Sequence, residues 1–250
     1  MKNKEEALHN RMFEKGKVAL VTGGTRGIGK AIVQLLTQQG CRVIYTGTKR
    51  NSPSHPATQY WPLDLADDAS IAEFLKRLKK VPQIDILVNN AGINIIEPID
   101  ALDADHWEKI IKVNLTGSML LMKEAARIMK KNKRGGRILN ISSIFGLVSK
   151  AKRNAYSASK AGLIGLTRAS ALDLAADRIM VNALCPGFVL TDMTKHILSP
   201  KEIRVLSAEI PLGRFGREME IAKTALFLCS DWNTYITGQT VVVDGGFMIQ

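Results

Sequence analysis

The chain has little cysteine and no long uninterrupted apolar run. Its three cysteines, Cys41, Cys185 and Cys229, stand far apart among apolar neighbours. An odd number at that spacing excludes a disulfide framework and a Cys-x-x-Cys metal site, and implies buried free thiols in a reducing cytosol. No metal is expected. No stretch of about 18 apolar residues is present, so a membrane span is not expected either. The opening residues, MKNKEEALHNRMFEKGK, lack the apolar segment of a secretory signal. Residues 1–12 are expected to be a flexible extension, and 13–250 a single domain. Aromatics are sparse, and the basic residues scatter over the ends of elements instead of interleaving with aromatics on one face. That argues against a nucleic-acid-binding module. Acidic residues are outnumbered too: 23 Asp and Glu against 35 Lys and Arg leave a net charge of +12, which favours an anionic partner such as cofactor phosphates or an acidic protein.

What is present is alternation. Short apolar runs predict strands at Lys17–Thr22, Arg42–Thr46, Ile84–Val88, Arg137–Ile141, Ile179–Leu184 and Thr240–Val243, with a further short strand around Tyr60 and Trp61. Between them lie helical stretches: one ending at Gly40, then Asp68–Lys80, a long one from Asp105 to about Lys131, one holding Tyr156, and Glu218–Leu228. Strands alternating with helices of this length predict an α/β fold, a Rossmann-type doubly wound parallel sheet in one domain.

The first strand runs into the first helix through Thr22-Gly23-Gly24-Thr25-Arg26-Gly27-Ile28-Gly29. Glycines in such a turn let the backbone approach a pyrophosphate, while the helix N-terminus supplies N–H donors. Gly24-x4-Gly29-Lys30 comes close to a triphosphate P-loop, but the next residue is Ala31 and the magnesium-binding hydroxyl is missing. An NAD site usually carries an acid at the end of the second strand. Here that place reads Gly47-Thr48-Lys49-Arg50. With Arg26 in the turn, cations and no carboxylate suit a 2′-phosphate, so NADP(H) is expected in preference to NAD(H).

Asn154–Arg168 reads NAYSASKAGLIGLTR. Tyr156 and Lys160, four apart on a helix, share one face. A unit charge at ~4 Å from a phenol is worth roughly 4 kcal/mol at an effective dielectric near 20. That would bring the phenol from near 10 to about neutrality, where a general acid/base works.

Taken together, the glycine turn, Asn89-Asn90-Ala91-Gly92, Ser143, Tyr156-x3-Lys160 and Pro186-Gly187 resemble the short-chain dehydrogenase/reductase family over about Lys17–Phe247. The resemblance implies that Tyr156 is the acid of carbonyl reduction or the base of alcohol oxidation. Lys160 would lower its pKa and hold the nicotinamide ribose, Ser143 rather than Ser142 would bind the substrate oxygen, and Asn114 would hold a water leading to Lys160. Cofactor contacts would come from Gly23, Thr25, Arg26, Gly27, Ile28, Gly29, Thr48, Lys49, Asp64, Leu65, Asn90, Ala91, Gly92, Val113, Pro186, Gly187, Val189 and Thr191. Candidate substrate contacts are Asn94, Ile95, Phe145, Leu147, Phe188, Met193 and His196.

Within the family, PGFVLTDMT and YITGQTVVVDGGF resemble the bacterial 3-oxoacyl-acyl-carrier-protein reductases of fatty acid biosynthesis. Arg134, and Arg178 offset by one, stand near basic positions that this subgroup uses for its acidic carrier; Lys130, Lys131 and Lys133 lie beside Arg134. Two departures favour a dehydrogenase of a sugar, cyclic diol or other small alcohol: Ile93-Asn94-Ile95-Ile96-Glu97 follows the Asn-Asn-Ala-Gly motif, and the Gly47–Asp64 segment is short. A catalytically silent NADP(H)-binding regulator is the alternative of another class. The resemblance further implies a cytoplasmic homotetramer, with a dimer as alternative, built on the long helix, the Tyr156 helix and the last strand.

Overall fold

The computed structural model describes residues 12–51, 57–191, 194 and 198–250. The expected extension as far as Arg11, together with Met193 and His196, lies outside them. Met12 and Phe13 already belong to the folded unit: Phe13 is buried, and the Met12 carbonyl accepts from the Asp231 N–H at 2.9 Å.

Seven parallel strands form one sheet in the order β3-β2-β1-β4-β5-β6-β7. They are β1 (Val18–Val21), β2 (Arg42–Gly47), β3 (Thr58–Pro62), β4 (Ile86–Asn89), β5 (Gly136–Ile141), β6 (Ile179–Pro186) and β7 (Thr240–Val243). The helices are α1 (Gly27–Gln38), α2 (Asp68–Leu78), α3 (Ala104–Ile111), α4 (Gly117–Asn132), α5 (Asn154–Leu174), α6 (Pro200–Ala208) and α7 (Glu218–Cys229).

The central strands are apolar on both faces because both are covered. Alternation along β1 divides the core. Val18 and Leu20 face Ile71, Phe74 and Leu78 of α2 and Leu121, Ala125 and Met129 of α4. Ala19 and Val21 face Ile32, Val33 and Leu36 of α1 and Ile221, Ala222 and Ala225 of α7. The edge strand β3 is held by its aromatics. The Trp61 ring lies 5.7 Å from Phe74, and the Arg77 guanidinium covers its face at 3.7 Å. Among the described residues no helix joins β2 to β3, as the short Gly47–Asp64 segment predicts.

One expected element is divided. The long helix predicted from Asp105 is α3 and α4 joined by a π-turn at Lys112–Thr116. Such a turn places one extra residue in a helix, an arrangement that recurs at functional sites. The strand order reverses between β1 and β4, and a crevice opens there beyond the carboxyl ends of the strands, where open α/β sheets bind ligands.

Candidate active site

That crevice is a cleft of about 890 Å³. Its walls take in every expected cofactor residue: Gly23, Thr25, Arg26, Gly27, Ile28, Gly29, Thr48, Lys49, Asp64, Leu65, Asn90, Ala91, Gly92, Val113, Pro186, Gly187, Val189 and Thr191, with Ser143, Tyr156 and Lys160 at the far side. Thr46, Asn51, Tyr60, Lys109, Ile141 and Thr194 also line it, and sequence motifs had not singled them out.

The glycines are where close approach demands them. A Cβ on Gly29 would meet the Gly23 carbonyl oxygen at 2.3 Å and Asn90 Nδ2 at 2.4 Å; one on Gly187 would meet the Asp244 backbone at 2.7 Å. The turn is pinned from β4. Asn90 Nδ2 donates to the Thr22 and Gly23 carbonyls at 2.9 and 3.2 Å, and Thr22 Oγ1 accepts from the Asn90 and Ala91 N–H groups. This leaves the α1 N-terminus open toward the cleft, with Arg26 as N-cap and no side-chain cap bond. An uncapped helix start behind a glycine cradle fits the pyrophosphate of a dinucleotide. Arg26, Lys49 and Arg50 are exposed and make no ion pair with the described residues, so cationic charge at the β2 end is unspent.

Tyr156 and Lys160 lie in the first two turns of α5. Ser143 follows β5; its Oγ accepts from the Phe145 N–H at 3.1 Å, and its hydroxyl lies near enough to the Tyr156 phenol to lower that group's pKa. Ser142 points elsewhere, its Oγ donating to the Lys160 carbonyl at 2.9 Å. Asn114 is fully buried in the π-turn and is not on the cleft wall. Its Oδ1 accepts from the Ile93 N–H at 2.8 Å, and its Nδ2 donates to the Ile93 carbonyl and Ser159 Oγ. It still converges on the site: a Cβ on Gly92 would lie 3.3 Å from Asn114 Oδ1 and 3.4 Å from Lys160 Nζ.

The electrostatics differ from the sequence expectation. Lys160 Nζ donates to the Ile141 carbonyl at 2.8 Å and lies 5.7 Å from the centre of the Tyr156 ring. Burial lowers its pKa to about 8. Burial likewise pushes the Tyr156 phenol above its ordinary value, offset in part by the Ser143 hydroxyl and by the Arg153 cation. In the free protein the phenol is not brought toward neutrality, because burial outweighs the groups that act on it.

The expected substrate residues scatter. Phe188 joins a satellite core with Leu206, Ile210 and Phe215, its ring 5.4 Å from Phe215 and 5.2 Å from Phe247. Phe145 stacks edge-on against Phe188 at 6.1 Å. Neither they nor Asn94 and Ile95 form the cleft wall, although Ile93 does. The basic cluster of Lys130, Lys131, Lys133 and Arg134 precedes β5, and Arg178 precedes β6, so all lie at the amino edge of the sheet. Six strand residues, about 20 Å, separate that edge from Ser143. There Lys130 pairs with Asp177 at 2.7 Å and Arg178 donates to the Lys133 carbonyl at 2.7 Å.

Among the described residues no helix is long and apolar enough to cross a membrane, and no three His, Cys, Asp or Glu side chains cluster to hold a metal.

With this geometry in view, the likeness to known proteins extends over more than nine-tenths of the chain. A family model described as Enoyl-(Acyl carrier protein) reductase matches residues 23–248. The 3-oxoacyl-[acyl-carrier-protein] reductase FabG of Aquifex aeolicus (strain VF5) is 42% identical over 243 residues, covering 93% of this chain and 97% of that protein. A Beutenbergia cavernae protein proposed to be an NAD(P)-dependent gluconate 5-dehydrogenase, solved with bound NADP at low occupancy, superposes with a TM-score of 0.89 at 31% identity, covering 96% of this chain and all of that one. A 4-hydroxyisoleucine dehydrogenase complexed with NADH gives a TM-score of 0.88 at 30% identity, covering 94% and 100%. The chain belongs to the short-chain dehydrogenase/reductase family of oxidoreductases, which act on the CH–OH/C=O couple.

Proposed function

We propose that this chain is an NADP(H)-dependent carbonyl reductase and alcohol dehydrogenase whose chemistry is carried by Ser143, Tyr156 and Lys160, with Asn114 behind them. One observation carries the reading: Ser143, Tyr156 and Lys160 line the same cleft as the uncapped glycine turn. When bound, the dinucleotide supplies or accepts the hydride at the substrate carbon. Tyr156 gives its phenolic proton to the substrate oxygen in reduction and takes it back in oxidation. A neutral phenol in the free protein suits the acid role. Ser143 Oγ holds that oxygen as charge develops. Lys160 holds its ammonium on the Ile141 carbonyl beneath the tyrosine ring, and Asn114, fixed to Ile93, anchors the wall at Gly92. Gly23, Gly29 and Gly187 would let backbone reach the cofactor. Arg26 and Lys49, with no acid between Gly47 and Asn51, would favour the 2′-phosphate.

Two substrate readings have support. The identity and coverage of the reductase relatives favour a 3-oxoacyl thioester on acyl carrier protein. A small polar alcohol, the second reading, is favoured by the placement of Arg134 and Arg178 at the sheet edge away from this cleft. Exposed apolar side chains on α5, in β7 and after it, Leu172, Val242 and Ile249, support a homotetramer, with a dimer as alternative.

Steady-state kinetics with NADPH and NADH over a panel of ketones, including acetoacetyl-CoA, test the reading. Tyr156→Phe should lower turnover by about 10²–10⁴ while NADPH binding, followed by its fluorescence, persists. The joint change Arg26→Ala and Lys49→Ala should lower kcat/KM for NADPH about tenfold or more and spare NADH. Full activity in Tyr156→Phe would overturn the mechanism, and an unchanged NADPH preference in the double variant would overturn the cofactor assignment.

A further inference from the structure

Arg153 is an arginine without a partner next to the reacting tyrosine. It is the N-cap residue of α5, three before Tyr156 and so on the same side of the helix one turn earlier. Its backbone is locked by a bridge to Glu97 in the β4–α3 connection, and its Cζ lies 5.9 Å from the centre of the Phe145 ring. Its side chain makes no hydrogen bond or ion pair with any described residue, and Nη1 is closed off from water with nothing to donate to. A buried guanidinium nitrogen left in that state is costly and rare.

The obvious acid does not serve it. Glu97 spends Oε1 on His106 Nδ1 at 2.7 Å, a contact that raises the imidazole's pKa. Around Tyr156 the remaining groups are Lys160, committed to Ile141, together with the Ser143 hydroxyl and the Cys185 thiol of β6. Arg153 is therefore a cation beside the reacting tyrosine with no counter-ion among the described residues. An unpaired guanidinium nitrogen beside the reacting tyrosine is a poor neighbour for an acyl chain and a good one for an anion.

Resting on the carbonyl-reductase reading of the cleft, we infer that Arg153 receives a carboxylate carried by the substrate near its reacting carbonyl. The substrate class is then an oxo-acid anion, or in the reverse direction a hydroxy acid. A neutral acyl thioester leaves the guanidinium unpaired.

The test is a ladder of 2-, 3-, 4- and 5-oxo acids and their methyl esters, with acetoacetyl-CoA alongside, reduced by NADPH with the full-length protein. One or more acids should exceed their own esters at least tenfold in kcat/KM. Arg153→Met should reduce that acid-to-ester ratio at least tenfold, and Arg153→Lys should restore part of it; the saturated acid of matching length should compete with the oxo acid in the wild type and much less in Arg153→Met. The wild-type comparison needs no variant, so misfolding of a variant does not blunt it. Esters or the thioester preferred over every acid would overturn the inference while keeping the reductase. Equal losses on acid and ester in Arg153→Met, with a displaced pH profile, would also overturn it and make Arg153 an electrostatic partner of Tyr156 alone. No turnover of any ketone would instead defeat the reading of the cleft on which the inference rests.

Discussion

Lys160 should stabilise the fold when it is removed. Its side chain is 4% exposed and its pKa falls from 10.5 to about 8 through burial. At about 1.4 kcal/mol for each tenfold change in proton affinity, keeping that ammonium charged inside the protein costs roughly 3 kcal/mol. The hydrogen bond to the Ile141 carbonyl returns about 1 kcal/mol that a substitution forfeits. Lys160→Met should therefore raise the unfolding free energy of the free protein at pH 7 by about 2 kcal/mol, or roughly 4–8 °C in Tm for a chain of this size, while turnover is lost. The pH dependence fixes the cause. Below about pH 8 both folded and unfolded chains hold the proton, and the full cost applies. Between about 8 and 10.5 only the unfolded chain holds it, so wild-type stability rises with pH. The variant has no such group, and the gap between the two proteins should close by about pH 10.5. Urea unfolding at pH 7.0 and 10.0 measures both quantities. A variant no more stable than wild type at pH 7, or a gap that does not shrink with pH, would refute the claim that burial dominates at this lysine.

Gly29→Ala should abolish dinucleotide binding, since its Cβ would stand 2.3 Å from the Gly23 carbonyl; loss of NADPH fluorescence enhancement with a retained far-UV dichroism spectrum is the expected signature. Arg137→Met should destabilise by about 2–4 kcal/mol in urea unfolding, because its guanidinium donates to the carbonyls of Ser230, Gly136 and Asn233 and ties β5 to the segment after α7.

The sequence revealed those parts of this molecule that are set by neighbours along the chain. The glycine turn between β1 and α1, the shared face of Tyr156 and Lys160, and the order of strands and helices all depend on local spacing, and the structure places them together. Contacts that close only in three dimensions were not legible. Asn89, Asn140 and Thr167 form a buried hydrogen-bonded chain across β4, β5 and α5, with Nδ2 of each asparagine donating at 2.9 Å; no spacing rule links residues so far apart. Phe188 reads as a loop residue next to Pro186-Gly187, yet α6 and the C-terminus supply it with a small core. The sign of the charge effect at Tyr156 depends on how far two side chains are withdrawn from water, which periodicity does not report.

The π-turn at Lys112–Thr116 works as an expansion joint in one rod. Each residue of an α-helix advances the chain by about 100° around the axis, and the wider turn takes up one additional residue within a single revolution. Excising that residue would restore a regular spiral and leave the Leu121–Ala125–Met129 row against the sheet, yet close the bulge in which Asn114 is seated. A single-residue deletion at this spot should therefore spare the fold and cost the site.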